Sequence, residues 1–381
     1  MIGDLLASVG TLSRHVARLA RDRRRAPGAH GLPCSAGELA VAWLSRALGL
    51  PVVELHRLGG HDGTSARARL GLRYAAGHEG PATLFAKLPS PSLSVATFGS
   101  VMALGANEVR FYRTLSREVP VTTPRPWLAQ ASPRGERFVL LLEDLEGCCF
   151  GAVERGCSAE QARAVVGDLA RLHALFWESP RLSRDLAWLP RRGAEPAPRV
   201  ARLLCRLAAG PALRRHGARV SDRLRRAAPR IQALRERLEA SWAEPPLTLL
   251  HGDPHLGNLY FQPDGRPGFL DWQVVRCGQG MRDVSHFLIS SLAVANRRAW
   301  EDELLRHYVE SLAAAGVRGF ALADARRQLC LHSFYEWFAS TVTAAAGALQ
   351  SEAVAAAAIE RAAAAIEDHD ALNALEALPA S

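Results

Sequence analysis

Residues 249–258 read Leu249-Leu250-His251-Gly252-Asp253-Pro254-His255-Leu256-Gly257-Asn258, and Phe269-Leu270-Asp271-Trp272 follows shortly after. Three side chains able to hold a metal or handle a proton, Asp253, Asn258 and Asp271, fall within 19 residues. Apolar runs at 247–250, 259–261 and 269–270 flank them and read as short strands, rigid anchors whose intervening loops can face one site. Asp and Asn are also good turn residues, and for either one alone a turn role suffices. It does not account for the whole constellation.

An Asp followed five residues later by an Asn has the spacing of the kinase catalytic loop. The chemistry behind that spacing is specific. Phosphoryl transfer needs Mg²⁺ on hard oxygen ligands and a carboxylate beside the attacking hydroxyl.

Outward from this stretch the chain changes character once. Residues 52–58, 66–74 and 83–88 are β-like runs separated by glycine, a helix is expected at 106–117, and strands return at 127–130 and 137–142. An earlier helix is expected over 35–48, with Ser35 as its cap and Glu38 three residues on. After residue 145 helical periodicity dominates: 159–177 has Val165, Val166, Leu169, Leu172, Leu175 and Phe176 at helical spacing. Arg-rich helices are expected over about 199–241, and further helices from about 283 to 373. The expected organisation is a basic extension (1–30), a β-rich N-lobe carrying a sheet and a helix (31–145), a mainly helical C-lobe with the catalytic loop (146–373) and a short tail (374–381). Such a pair of lobes suits a ligand cleft.

Of the 47 lysine and arginine residues a single one, Lys87, is lysine. A bias that made every other basic position Arg left this one alone. A compact ammonium fits a tight phosphate site where a forked guanidinium does not. The net charge of +9 resides in residues 191–237, which hold 14 Arg against Glu195, Asp222 and Glu236. Solvated faces of amphipathic helices explain that excess, and a specific anion site is the alternative. The seven cysteines show no paired metal-ligand spacing, so reduced thiols in a cytoplasmic protein are expected. No run approaches the roughly 18 apolar residues of a membrane span, and no export signal is read at the N-terminus.

Residues 251–258 match in full the His-Gly-Asp-x-His-x-x-Asn motif of the aminoglycoside-phosphotransferase/choline-kinase group, and the chain most resembles its ecdysteroid-kinase-like branch. Asp271-Trp272-Gln273 resembles that branch's Asp-(Phe/Trp)-Gln, and Gly280-Met281-Arg282-Asp283-Val284 its Gly-x-x-Asp-(Leu/Val). The likeness runs from about 52 to 292. It implies an α+β, two-lobed, protein-kinase-like fold with a small antiparallel N-lobe sheet, acting with ATP and Mg²⁺. By that resemblance Asp253 is the catalytic aspartate, and Asn258 and Asp271 bind Mg²⁺. Lys87 holds the ATP phosphates and Glu108 pairs with Lys87. Glu143 to Leu145 offer backbone groups to adenine. The turn holding Gly60, Gly63, Thr64 and Ser65 covers phosphate, although it lacks strict Gly-x-Gly-x-x-Gly spacing. His173 and His251 are taken as structural.

Only residues 272–282 separate Asp271 from Asp283, and no Ala-Pro-Glu occurs. A protein kinase needs a longer segment there to bind a peptide. The short one points to a small hydroxylated acceptor: an antibiotic, sterol, polyol or amino alcohol. Two rivals are a catalytically inactive kinase-fold binding module and a nucleic-acid-associated protein using the Arg-rich face. No nucleic-acid motif beyond charge supports the latter, and the oligomeric state stays open.

Overall fold

Period-two alternation builds the N-terminal sheet. In β2 (Ser65–Tyr74), Ala66, Ala68, Leu70 and Leu72 are buried while Arg67, Arg69 and Arg73 point the other way. β1 (Val52–Asp62), β3 (Thr83–Pro89), β4 (Pro126–Ala131) and β5 (Phe138–Glu143) complete an antiparallel sheet of order β1-β2-β3-β5-β4. The buried face packs Leu70, Leu84, Ala86, Leu88, Val139 and Leu141 against Leu39 and Leu44. Lys87 lies on the opposite face of β3, directly across from Arg67 on β2 and Leu140 on β5.

The computed structural model describes residues 2–24, 31–133, 135–191, 196–346 and 351–379. They form two units: Met1–Glu118 with Thr123–Gly147 and Asp271–Val274, and Val119–Thr122 with Cys148–Leu270 and Val275–Ser381. In the first unit α1 (Ile2–Arg23) packs against α3 (Leu93–Val101). Buried Arg137 ties it down, donating to the Asp22 carboxylate at 2.7 Å and the Asp22 carbonyl at 2.8 Å. Residues 25–30 of the Arg/Pro/Gly stretch lie outside the described residues.

Two local expectations change. The helix over 35–48 is a 3₁₀ turn (Ala36–Glu38) followed by α2 (Val41–Leu48), and Ser35 caps nothing. The Glu38 carboxylate instead accepts the Cys34 N–H at 3.0 Å, and burial of Leu39 in the sheet core draws the chain out of helix between the two pieces. After β3 come two helices where one was expected, α3 and then α4 (Leu104–Thr114). α3 carries Val95, Thr97, Gly99 and Val101, poor helix formers, so its signal in sequence is weak and packing decides.

The second unit is mainly helical, and the fold class agrees with the α+β expectation. α5 (Ala159–Phe176) opens in a capping box, Ser158 with Gln161, and buries the apolar residues read from its periodicity except Leu175, which is exposed. α6 (Pro196–His216), α7 (Asp222–Ala233) and α8 (Arg235–Ser241) pack apolar faces against Phe334, Trp337 and Phe338 of α11 (Leu322–Ala346). Several arginines of this segment face solvent and meet acids from residues 352–370, Arg215 with Glu352, Arg219 with Glu360 and Arg223 with Asp370, while Arg235 is buried and pairs with Glu239. The local charge excess is therefore countered in three dimensions, by exposed pairs worth at most about 1 kcal/mol each. Residues 192–195 of that segment lie outside the described residues.

Two small sheets frame the catalytic loop. β7 (Thr248–Leu250) pairs with β10 (Arg276–Gly278), and β8 (Leu259–Phe261) lies between β6 (Cys149–Phe150) and β9 (Pro267–Phe269). α9 (Met281–Ser291), α10 (Val294–Ala314), α12 (Glu352–Asp368) and α13 (Ala371–Glu376) complete the unit.

Candidate active site

In the first unit the lone lysine is the centre of an ionic cluster. Lys87 Nζ donates to Glu108 Oε1 at 2.8 Å and Oε2 at 2.7 Å, and to Asp271 Oδ1 at 3.0 Å. Asp271 Oδ2 accepts from Arg67 Nη2 at 3.0 Å. Strand register places these groups: Arg67 and Lys87 are cross-strand partners, and α4 turns Glu108 inward, 1% exposed. Burial, reinforced by the Asp271 charge and only partly offset by Lys87, pushes the Glu108 carboxyl up to about 7.

Asp271 has φ 62°, a left-handed backbone that a non-glycine residue adopts only when its surroundings impose it. Next to it, the Trp272 ring stacks on Phe111 of α4, centroids 3.9 Å apart and nearly parallel, so the Asp-Trp-Gln stretch and the Glu108 helix are packed as one piece.

The turn between β1 and β2 joins this cluster through His61. Arg67 Nη1 lies 3.1 Å from His61 Nε2 while its Nη2 holds Asp271. Within the turn the Gly63 N–H is already given to the Ser65 carbonyl at 3.0 Å. Gly60 lies so close to β2 that an added Cβ would stand 2.3 Å from the Arg67 carbonyl oxygen. Thr64 follows, and Ser65 is buried with its Oγ unpartnered. At the far end of β5 the Glu143 N–H donates to the Arg125 carbonyl at 2.8 Å, so it is spent in the sheet edge and leaves no donor for a base. Arg69 pairs with Asp144 and Glu146 on either side of Leu145.

In the second unit the catalytic-loop motif folds around two anchors. Asp283, at the start of α9, accepts the amides of His251 at 2.6 Å and Gly252 at 3.0 Å, and fixes the turn that Gly252 makes with φ 91°. His173 lies 3.4 Å from Asp283 and 2.9 Å from Tyr308 Oη, and His251 Nε2 lies 2.9 Å from the Leu270 carbonyl. Both histidines are thus buried with satisfied partners.

Asp253, three-quarters shielded, is gripped on both oxygens. Asn258 Nδ2 donates to Oδ2 at 3.0 Å, and His286 Nε2 lies 2.9 Å from Oδ1. His286 Nδ1 in turn meets Glu336 Oε1. Burial works against the charge on Asp253, but the His255 and His286 charges and the His286 hydrogen bond outweigh it and hold the carboxyl well below the usual range. Burial likewise opposes protonation of His286, yet Glu336 and Asp253 dominate and keep it charged well above the ordinary histidine range.

Sequence reasoning did not find Arg67, His286 or Glu336. Arg67 was legible in principle, being the residue whose register sets it opposite the lone lysine. Nothing local marks His286 or Glu336, which lie 33 and 50 positions from their partners.

The sequence pattern of the APH phosphotransferase enzyme family matches residues 66–326, and the chain belongs to that family. The small-molecule kinase with an alcohol acceptor expected from the sequence agrees with it, and such an enzyme takes its phosphate from a nucleotide. Among solved structures the chain is similar to a protein from Ralstonia eutropha described as an aminoglycoside phosphotransferase. Identity is 15% and the TM-score 0.52, covering 86% of this chain and 96% of that one. It is also similar to a choline/ethanolamine kinase family protein from Mesorhizobium loti (17% identity, 86% and 92% covered, TM-score 0.47). A third is a macrolide 2′-phosphotransferase from Brachybacterium faecium (19% identity, 85% and 95% covered, TM-score 0.43). No curated protein matches the chain. Among the described residues no helix is long and apolar enough to cross a membrane.

Proposed function

We propose that the chain transfers the γ-phosphate of ATP, with Mg²⁺, to a hydroxyl group of a small molecule in the cytoplasm. The observation that carries this reading is the lone lysine held between Glu108 and Asp271. A protein that spends Arg on every other cation has kept an ammonium where a compact triple donor is needed. In the first unit Lys87 and Arg67 meet the donor's phosphates and Glu108 keeps Lys87 in place.

Asp271 and Asn258 suit Mg²⁺. Asn258 turns its amide nitrogen to Asp253, which leaves Oδ1 as a hard oxygen donor, and both Asp271 oxygens rest on cations. Among the described residues no group of three or more His, Cys, Asp or Glu side chains could hold a metal. That fits an ion bound by one or two protein ligands together with phosphates. When bound, Mg²⁺ offsets phosphate charge.

Asp253 receives the acceptor hydroxyl. With Oδ1 fixed by His286 and Oδ2 by Asn258, the plane of the carboxylate is set, and the hydroxyl is oriented by donating to a lone pair that remains. A carboxylate this weakly basic takes the proton late, after bond formation to phosphorus has made the hydroxyl acidic, as a loose transition state requires. The test is to screen hydroxylated compounds for ATP-dependent phosphate incorporation by the purified protein. Absence of incorporation across antibiotics, sterols, polyols, amino alcohols and hydroxy acids, with ATP bound, would leave a binding module.

A further inference from the structure

The second unit holds a cavity of about 180 Å³ between β7, β10 and the residues after α8. It has room for several waters. Arg191, Arg276 and Arg282 line it, beside Trp242, Cys277 and Gln279, and none of its lining residues carries a carboxylate. Gln279 is a fixed wall, donating to the Ser241 and Glu244 carbonyls and accepting from His332. Arg191 Nη2 rests on the Leu182 carbonyl.

Arg282 is different. It is 4% exposed, its Nε and Nη1 are buried, and neither has a hydrogen-bond partner. Its guanidinium stacks on the Tyr335 ring, 4.1 Å from Cζ to centroid. Asp283 feels the Arg282 charge, but its oxygens accept the His251 and Gly252 amides. A desolvated guanidinium with unmet donors is costly to keep. Arg282 lines the cavity wall, and a guanidinium there attracts a phosphate or carboxylate through charge-assisted hydrogen bonds.

Arg282 and His286 are four residues apart on α9, hence on one face and about 6 Å apart along the axis. Tyr335 lies against both, its ring 5.5 Å from that of His286. His286 in turn holds Asp253. The cationic cavity therefore begins one helical turn from the residue that supports the acceptor carboxylate.

We propose that this cavity binds the phosphate or carboxylate group of the acceptor, so that the substrate is a hydroxylated anion, such as a hydroxy acid or a sugar phosphate, and not a cationic amino sugar or amino alcohol. The proposal rests on the kinase reading above. Inorganic phosphate serves as the probe. It should raise the melting temperature of the wild type and of Lys87→Met, whose nucleotide cluster is broken, by similar amounts. Arg282→Met, which keeps the apolar stem, should fold with a cooperative melt and should bind phosphate about tenfold or more weakly.

A panel of neutral polyols, amino alcohols, hydroxy acids and sugar phosphates is then offered with ATP, and turnover should be confined to the anionic members and lost in Arg282→Met. Equal phosphate affinity in wild type and Arg282→Met overturns the site. Turnover of an amino alcohol that is unaffected by Arg282→Met overturns the substrate assignment. If phosphate binding depends on Arg282 while no panel member is phosphorylated, the anion site stands and the kinase reading is what fails.

Discussion

His286 Nε2 lies 2.9 Å from Oδ1 of Asp253, and on its other side His286 Nδ1 meets the Glu336 carboxylate. A buried cation between two carboxylates makes the catalytic loop's aspartate part of a relay that runs through α9 to α11. Asp253 is thereby held ionised and aimed from a distant helix as well as by His255 and Asn258 of its own loop.

Asp253→Asn retains the shape of the side chain but removes the carboxylate proposed to receive the hydroxyl. ATP affinity should stay near wild type and turnover should fall about 10²-fold or more. A variant keeping over about a tenth of wild-type turnover would remove Asp253 from that role.

His286→Gln tests the relay. His286 is a positioning residue, so kcat should fall with little change in KM for ATP. Its raised pKa also makes a signed prediction. The stability it contributes is fully present below about pH 6.5 and is lost as pH rises through its folded-state value, well above that. The wild type should therefore lose stability and kcat together on an alkaline limb that His286→Gln lacks. Identical alkaline limbs in titrations of melting temperature and kcat would show that His286 does not govern them.

Lys87→Arg preserves charge and changes shape. A guanidinium cannot occupy the space in which one ammonium meets three carboxylate oxygens within 3.0 Å. A displacement of about 1 Å is enough to lower the rate about 10²-fold when positioning is most of the catalysis. Arg110→Lys, on the exposed side of α4, should be silent beside it in the same ATP-turnover assay. Equal activities would refute the phosphate-binding role.

Asp271→Ala should abolish Mg²⁺-dependent nucleotide binding and release Arg67 and Lys87 from their shared partner. Calorimetry with Mg²⁺ and a non-hydrolysable ATP analogue measures this, and wild-type affinity would contradict the metal assignment. Asn258→Ala should weaken binding or change the metal preference.

Gly280→Ala probes the support under Asp283. An added Cβ would stand 2.4 Å from Tyr308 Oη and 2.9 Å from His173 Nδ1, and both belong to the buried network around Asp283. Overpacking of this kind costs about 1–3 kcal/mol, visible as a lower melting temperature. An unchanged melting temperature would mean that the network yields freely.

The sequence alone determined what depends on short-range pattern and residue choice. The β-like runs separated by glycine at 52–58, 66–74 and 83–88 and helical spacing in 159–177 set the change from sheet to helix. The Asp253–Asn258 spacing and the solitary Lys87 singled out residues that the structure places in one polar cluster in each unit. Tertiary structure decided what depends on distant partners. Leu39 is drawn into the sheet core and breaks a helix that local propensity favours. The weak helix formers of α3 become helical under α1. Arg67 acquires its place from strand register, and Glu336 reaches His286 across 50 positions through the packing of α9 on α11. The energy of a buried charge depends on what surrounds it in space, and residues far apart in the chain supply those surroundings.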